Sequence, residues 1–591
     1  MSNLYSKASL VMDPQLVDTG KVYSIKPEDR KGDFTFTRSS AATRVNASGN
    51  IEKQTSNYIL YSQQIDNGYW NKYQMSVTAN QAAAPDGTAT ADLIDDGTGT
   101  GTHAIEENET IGYGGAVTIS IHAKYVDTQY LVLAVYDTAY RVVVFDIQNG
   151  TIGNKSLSSL IATIEDLGSG WYRCAVTHPT NTRSNPFYTF GLRDDNVAAL
   201  YTLAGSNRQA YVWGAQMEDG LVARDYIETT TSAIEGGITD NVPRLDYTDS
   251  SCPALLLEPQ RTNLLTNSEY FGGYSNSNST DTANDATSPE GVDNATSFKE
   301  AATTGQHKLF TSATFDGSST YTFSIFAKDN GRDLYIDTQN SNEWGGRAWF
   351  DLSAGTANAV LGSASIEDYG DGWYRCVVTG DSSTSGSNFI ELLTSDGSTN
   401  STTGDTTKGV YIFGAQLEAG SYATSYIPTY GSSVTRVADT YKKLSFGNTS
   451  TEGTFYAEFE VKKIESANGQ YMYGLSVGTT DLGDFYANAS GALSIIANGP
   501  EIQGFNNGYV DSLFSYTPSI GDIAKIAIRY DGSNVVAFVN GVKQTTKTDN
   551  ASGVKNSIRV NHGEKSSHAT KQLLFIPTAL TDQEAIALTT I

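Results

Sequence analysis

Along most of this chain, apolar and polar residues alternate in short runs broken by Gly, Asn, Asp, Ser and Thr. In "GWYRCAVT" (170–177), Tyr172, Cys174 and Val176 fall on one side of an extended segment and Trp171, Arg173 and Ala175 on the other. This period of two is that of a strand with one face buried. "TISIHAKYV" and "TFSIFAKDN" alternate in the same way. "GTFYAEFEVKKI" (453–464) does so strictly, with Phe455, Ala457, Phe459 and Val461 facing inward. "IAKIAIRYDGSNVVAFVNGVKQTT" (523–546) predicts a hairpin turning at Asp-Gly-Ser-Asn. Near the end, Thr581 followed three residues later by Glu584 predicts a capping box and a short helix. The pattern predicts an all-β chain of antiparallel sandwiches.

The same runs recur. "NYILYSQQI" from Asn57 pairs with "NLLTNSEYF" from Asn263, and "APDGTATA" with "SPEGVDNATS". "SIHAK" pairs with "SIFAK", "FDIQNGT" with "FDLSAGT", "IEDLGSGWYRCAVT" with "IEDYGDGWYRCVVT", and "YVWGAQMEDGLVARDYIETT" with "YIFGAQLEAGSYATSYIPTY". The spacing drifts only from 206 to 200 residues, so one domain is present twice with small loop changes. The repeated residues are turn glycines, strand aromatics and a Gln/Glu pair, with no repeated nucleophile and base. The duplication therefore marks a structural module. Cys174 reads as a small buried hydrophobe, and Trp171 and Arg173 as a cation–π pair.

At 591 residues the chain has room for three to five domains. Its formal net charge of −26 sits almost wholly in residues 1–441, since residues 442–591 hold 12 Lys/Arg against 14 Asp/Glu. Such acidity opposes binding to nucleic acid. No apolar run approaches membrane-spanning length, and "MSNLYSKASL" lacks a basic-then-apolar leader. Cys174, Cys252 and Cys376 form no metal or disulfide spacing, and the six His are scattered, which fits folding in a reducing cytoplasm. No cofactor is expected. Calcium is conceivable at the acidic loops 95–101, 192–196 and 479–485, but none has a defined ligand spacing.

The hairpin, the "VNGVKQ" turn and the "ALTDQEAIAL" ending resemble laminin-G/concanavalin-A-like lectin domains over residues 442–591. The resemblance implies a two-sheet jelly roll that binds glycan or protein. Glycosidases of that fold carry an E-x-D-x-x-E strand. "EFEVKK" lacks the Asp and the last acid, so Glu458 and Glu460 read as the solvated face of a strand. "FTFTRSSAATRVNASGNIE", "VPRLDY", "CPALLLEPQRTNLL", "GWYRC" and "GAQLEAGSYATSYIPT" together resemble segments of bacteriophage virion proteins of the tail-fibre and receptor-binding type.

The expected organisation is an anchoring segment (1–55), a first β-sandwich (56–230), a connector packing with the N-terminal segment (231–262) and a second sandwich (263–430). A linker (431–441) and the lectin-like jelly roll (442–591) follow. Arg38, Arg44, Arg244, Arg261 and Arg436 are expected to pair with the acidic modules, stabilising the interface.

The resemblance implies a non-enzymatic virion appendage, assembled in the host cytoplasm, homotrimeric, and bound to other virion proteins and to a host cell-surface glycan. A head fibre or capsid decoration protein is the nearest alternative. A polysaccharide depolymerase and a secreted adhesin are more distant ones. Sugar recognition needs exposed aromatics flanked by planar polar groups. That singles out Trp344 with Asn342, Glu343 and Arg347, and also Trp70 and Tyr509.

Overall fold

The computed structural model describes residues 2–107, 115–183, 186–200, 202–248, 251–338, 344–397, 399–443, 445–464, 470–477, 493–498, 501–506, 511–549, 554–561 and 566–590. The alternating runs form antiparallel strands throughout, and the two repeats match strand for strand. In the first, one sheet runs Thr151–Lys155, Tyr140–Asp146, Tyr130–Tyr136, Tyr188–Arg193, Ala104–Glu107, Asn71–Tyr73. The facing sheet runs Ile161–Gly168, Trp171–Asn181, Gly115–Tyr125, Gln209–Asp219, Ala91–Asp95, Ser76–Ala82. The second repeat reproduces both orders, from Thr356–Leu361 to Ser275–Ser277 and from Ser363–Asp368 to Ser279–Ala286. Each is a jelly-roll sandwich whose inner faces make one apolar core.

The repeated motifs hold each sandwich together. Cys174 lies opposite Ile121 and Cys376 opposite Ile325, and burial pushes both thiols up, out of reach of nucleophilic use. The indole N–H of Trp171 donates to Ala83 O at 3.1 Å and that of Trp373 to Thr287 O at 3.0 Å. Arg173, expected to lie over Trp171, instead donates from Nη2 to Ser120 Oγ at 3.3 Å and to Arg224 O, and in the second repeat Arg375 lies over Phe326, 5.4 Å from its centroid. Gly214 and Gly414 adopt φ of +65° and +63° at a register shift in the strand carrying "GAQ", a conformation that favours glycine. After the bulge the next Gln lies on the face away from the sandwich core, and its Oε1 accepts from the returning chain: Ile227 N at 2.8 Å, Ile427 N at 2.6 Å.

The third unit is a barrel-like jelly roll. Gly453–Ile464 runs between Ile523–Tyr530 and Ser566–Ile576, and Phe455, Ala457, Phe459 and Val461 enter its core as expected. Its far edge is completed from elsewhere in the chain. Leu10–Asp18 and Ala254–Leu257 both pair with Ser566–Ile576. Phe34–Thr37 then pairs with Thr440–Lys443, which pairs with Lys555–Asn561. Segments expected as anchor, connector and linker thus supply strands to the C-terminal barrel, and Leu10, Phe34, Phe36, Leu255, Leu257 and Tyr441 share its core. An open edge and an uncovered apolar face both favour such completion.

The connector arginines also differ from expectation. Arg38, Arg244 and Arg436 pair with Glu258 and Asp439, carboxylates of the connectors themselves. Arg44 pairs with Glu52, while Arg261 approaches a carboxylate in a sandwich, Glu418, at 4.0 Å. A second buried ionic cluster joins the repeats to each other. Lys53 reaches Glu269 at 2.6 Å and Glu290 at 2.9 Å, and Arg224 of the first repeat also pairs with Glu290.

Candidate binding sites

In the second repeat, Asp333–Thr338 pairs with Arg347–Asp351 so that Tyr335 lies opposite Trp349. Alternation sends Leu334, Ile336, Ala348 and Phe350 into the core. It sends Tyr335, Asp337, Arg347 and Trp349 to the outer face. The Tyr335 and Trp349 rings stack with centroids 3.9 Å apart, Tyr335 beneath and Trp349 partly exposed. Burial, and then Asp337, raise the Tyr335 hydroxyl to about 12, so it stays a neutral donor. Beside this pair the Arg347 Nε meets Asp337 Oδ1 at 2.5 Å, both side chains partly exposed. On the neighbouring strands, Lys308 pairs with Glu391 at 2.8 Å and lies over Phe310, which meets Phe389 edge-on. This face combines an aromatic platform with planar charged groups, the chemistry that grips a sugar ring by its C–H face and its hydroxyls.

The first repeat treats the same positions in the opposite way. There the equivalent strands pair Val132 with Val144, and the four matching residues are Val132, Ala134, Val142 and Val144. They form a small apolar cluster against Ala198 and Leu200, in the segment that follows the next strand of that sheet. One fold therefore carries two outer faces, one apolar and covered, the other aromatic, charged and partly exposed among the described residues.

Two of the aromatic residues singled out from the sequence are buried, which corrects the expectation that they stand exposed in loops. Trp344 has no exposed surface; its indole N–H donates to Gly380 O at 3.0 Å and its ring stacks on Phe315. Trp70 is equally enclosed, edge-on to Tyr188 and Phe190 with its N–H on Tyr61 O. Both large rings serve as core, where their transfer from water is most favourable. Neither offers a free ring face. Arg347 does reach the surface. Asn342, Glu343 and Tyr509 lie outside the described residues. Trp349 was missed, although "RAWFD" contained its signal: alternation places it beside Arg347.

In the acidic loops 95–101 and 192–196, carboxylates are engaged by protein partners. Asp96 accepts from Ser206 N and Arg208 N, Asp195 pairs with Arg193, and Asp194 with Arg208. The loop 479–485 lies outside the described residues. Among the described residues, no group of three or more His, Cys, Asp or Glu side chains is arranged to hold a metal.

A cleft of about 390 Å³ opens where the Arg44–Glu52 hairpin, the second repeat and the C-terminal barrel meet. Asp246, Glu367, Glu460, Lys462 and Lys463 line it. Glu460, expected on a solvated strand face, is buried here and lies 2.9 Å from Lys462 and 3.5 Å from Lys571. Burial raises the carboxyls of Asp246 and Glu460 and lowers the Lys462 ammonium. Asp246 accepts from Val45 N and Thr248 Oγ1, and Lys463 reaches Glu367 across the junction at 3.5 Å. The Lys463–Glu367 pair thus fastens the barrel to the second repeat across this cleft.

Comparison with protein-family models and with curated proteins gives no match. Among solved structures, the chain is similar to the CBM40 of Ruminococcus gnavus IT-sialidase bound to alpha2,3 sialyllactose, at 15% identity and a TM-score of 0.18, over 24% of this chain and 84% of that one. It is also similar to the binding domain of botulinum neurotoxin DC in complex with rat synaptotagmin II, at 10% identity and a TM-score of 0.21, over 26% of this chain and 40% of that one. The botulinum neurotoxin type G receptor binding domain matches at 13% identity and a TM-score of 0.20, over 25% of this chain and 38% of that one. The chain spans about two fifths of the length of these neurotoxin domains. Each likeness covers about a quarter of this chain, and the jelly-roll assignment is visible in the sheet topology itself.

Proposed function

We propose that this chain is a structural protein of a bacteriophage virion, a tail-fibre or receptor-binding appendage, and that it holds host surface glycans on the Tyr335–Trp349 face. The observation that carries the binding reading is the contrast between repeats. The fold closes with Val132, Ala134, Val142 and Val144 covered, so the partly exposed Asp337, Arg347 and Trp349 of the second copy, with Tyr335 beneath, are not required for folding. The virion reading draws support from the resembling sequence segments. The buried ionic clusters support it too, because one ties the connector segments together and the other joins the two repeats, as spacing and presentation require. Acting by binding alone, such a protein needs no acid pair. It assembles with other virion proteins in the host cytoplasm, as a homotrimer by the same resemblance.

The test measures host-cell binding of the full chain and of Trp349→Ala, on cells with intact or periodate-oxidised glycans. Binding that needs both Trp349 and intact glycans is the expected result. A full chain that ignores intact cells overturns the reading and makes a head-fibre or capsid role the better account.

A further inference from the structure

A smaller cavity, about 200 Å³, lies between the two repeats, away from the Tyr335–Trp349 face. Ala42, Ile427, Pro428 and Val434 give it an apolar wall, and Asp219 stands at its other side. Asp219 Oδ2 accepts the Tyr58 hydroxyl at 3.0 Å. Its Oδ1 is buried and receives no hydrogen bond. A buried carboxylate oxygen without a donor is costly to keep, and such groups ask for a reason. Three cations line the same cavity, and each is already engaged: Lys53 holds Glu269 and Glu290, Arg224 holds Glu290, and Arg436 holds Glu258. Burial raises the Asp219 carboxyl to about 7, against the lowering effects of the Tyr58 hydroxyl and of Lys53.

The duplication supplies the control. The second repeat has Leu264 where the first has Tyr58, and Ala419 where the first has Asp219. The neighbouring anchors are unchanged: Asn57 and Asn263 accept from Met217 N and Leu417 N in the same way. The sandwich therefore closes without the Tyr–Asp pair, and its presence in one copy serves the cavity rather than the fold.

We propose that this cavity binds a small organic cation, a protonated amine on a body of about one ring, with the ammonium donating to Asp219 Oδ1. The volume is somewhat above the roughly 150 Å³ that accommodates benzene in an apolar cavity, which suits a single ring with one polar substituent. An ammonium supplies the missing donor and the missing counter-charge together, as neither a hydroxyl nor an anion does. The amine is carried either by a hydrocarbon ring or by an amino sugar, and the two are separable by experiment.

Calorimetric titration of the full chain at neutral pH with benzylamine and with glucosamine tests this, with benzyl alcohol and N-acetylglucosamine as uncharged controls. At least one amine is expected to bind, and to bind tighter than its control. Asp219→Ala, which copies the second repeat, is expected to weaken it about tenfold or more. Asp219→Asn keeps the shape, loses the charge, and carries the test should the alanine variant fold poorly. Trp349→Ala is expected to leave amine binding unchanged, which separates this site from the glycan face. Failure of both amines to bind, equal binding by the controls, or equal binding by both Asp219 variants overturns the proposal.

Discussion

Arg38 Nη1 and Asp439 Oδ1, 401 positions apart in sequence, meet at 3.0 Å with both side chains fully buried. The other Asp439 oxygen takes Arg244, which shares Glu258 with Arg436. Five charged side chains from three distant segments thus form one enclosed cluster at the root of the barrel. Asp439→Ala leaves Arg38 and Arg244 without that counter-charge. Denaturant unfolding is expected to show a loss of about 3–5 kcal/mol, the usual cost of breaking a buried pair from one side. A change below about 1 kcal/mol would refute a structural role for the cluster.

The same cluster sets the response to acid. Burial alone would raise Glu258, but Arg436 and Arg244 hold it well below the usual carboxylate range, and Arg224 and Lys53 do the same for Glu290. A depressed folded value gives stability that is present above the unfolded carboxylate range, near 4.3, and is lost as pH falls through the folded value. Thermal midpoints are expected to drop steeply below about pH 4. Midpoints that stay level down to pH 2 would contradict the pairing.

Asp219 works with the opposite sign. Its folded value is raised to about 7, so stability falls as pH climbs from the unfolded value, near 3.9, towards 7 and changes little above that. Asp219→Asn removes the titration. The variant's stability is expected to exceed that of the parent most clearly near neutral pH, and equal stabilities at pH 7 would show that the carboxyl is not truly buried.

Trp344 and Trp349 stand five residues apart and do opposite things. Trp344→Ala empties core volume and is expected to cost about 3–5 kcal/mol of stability. Trp349→Ala removes a partly exposed ring from the outer face. It is expected to cost little stability and to weaken glycan binding about tenfold or more, on the scale of a stacking contact plus its desolvated area. Should the two variants exchange these phenotypes, the assignment of the outer face would be wrong.

The C-terminal helix Asp582–Thr589 is fixed at its start by the Thr581–Glu584 capping box, and Glu584 also meets Lys7 of the N-terminal helix at 2.5 Å. Thr581→Ala is expected to lower stability by about 0.5–2 kcal/mol in equilibrium unfolding, the usual value of an N-cap. No measurable change would mean that the helix is held by its buried Ala585 and Leu588 alone.

The sequence by itself determined what is local. Alternation located Gly453–Ile464 and the strand of each "GWYRC", because side chains on an extended backbone point to opposite faces with a period that packing cannot alter. Capping chemistry placed Thr581, and the in-register duplication announced two copies of one sandwich. Tertiary structure decided what covers each face and fills each edge. Alternation shows that Trp349 and Val144 both point away from a core, yet not that Ala198 and Leu200 would cover Val144 while Trp349 stays partly exposed. Nor could it show that Leu10–Asp18 and Ala254–Leu257 would complete the edge of Ser566–Ile576. Those outcomes depend on free strand edges and buried charges meeting across hundreds of residues, and no local period encodes such encounters.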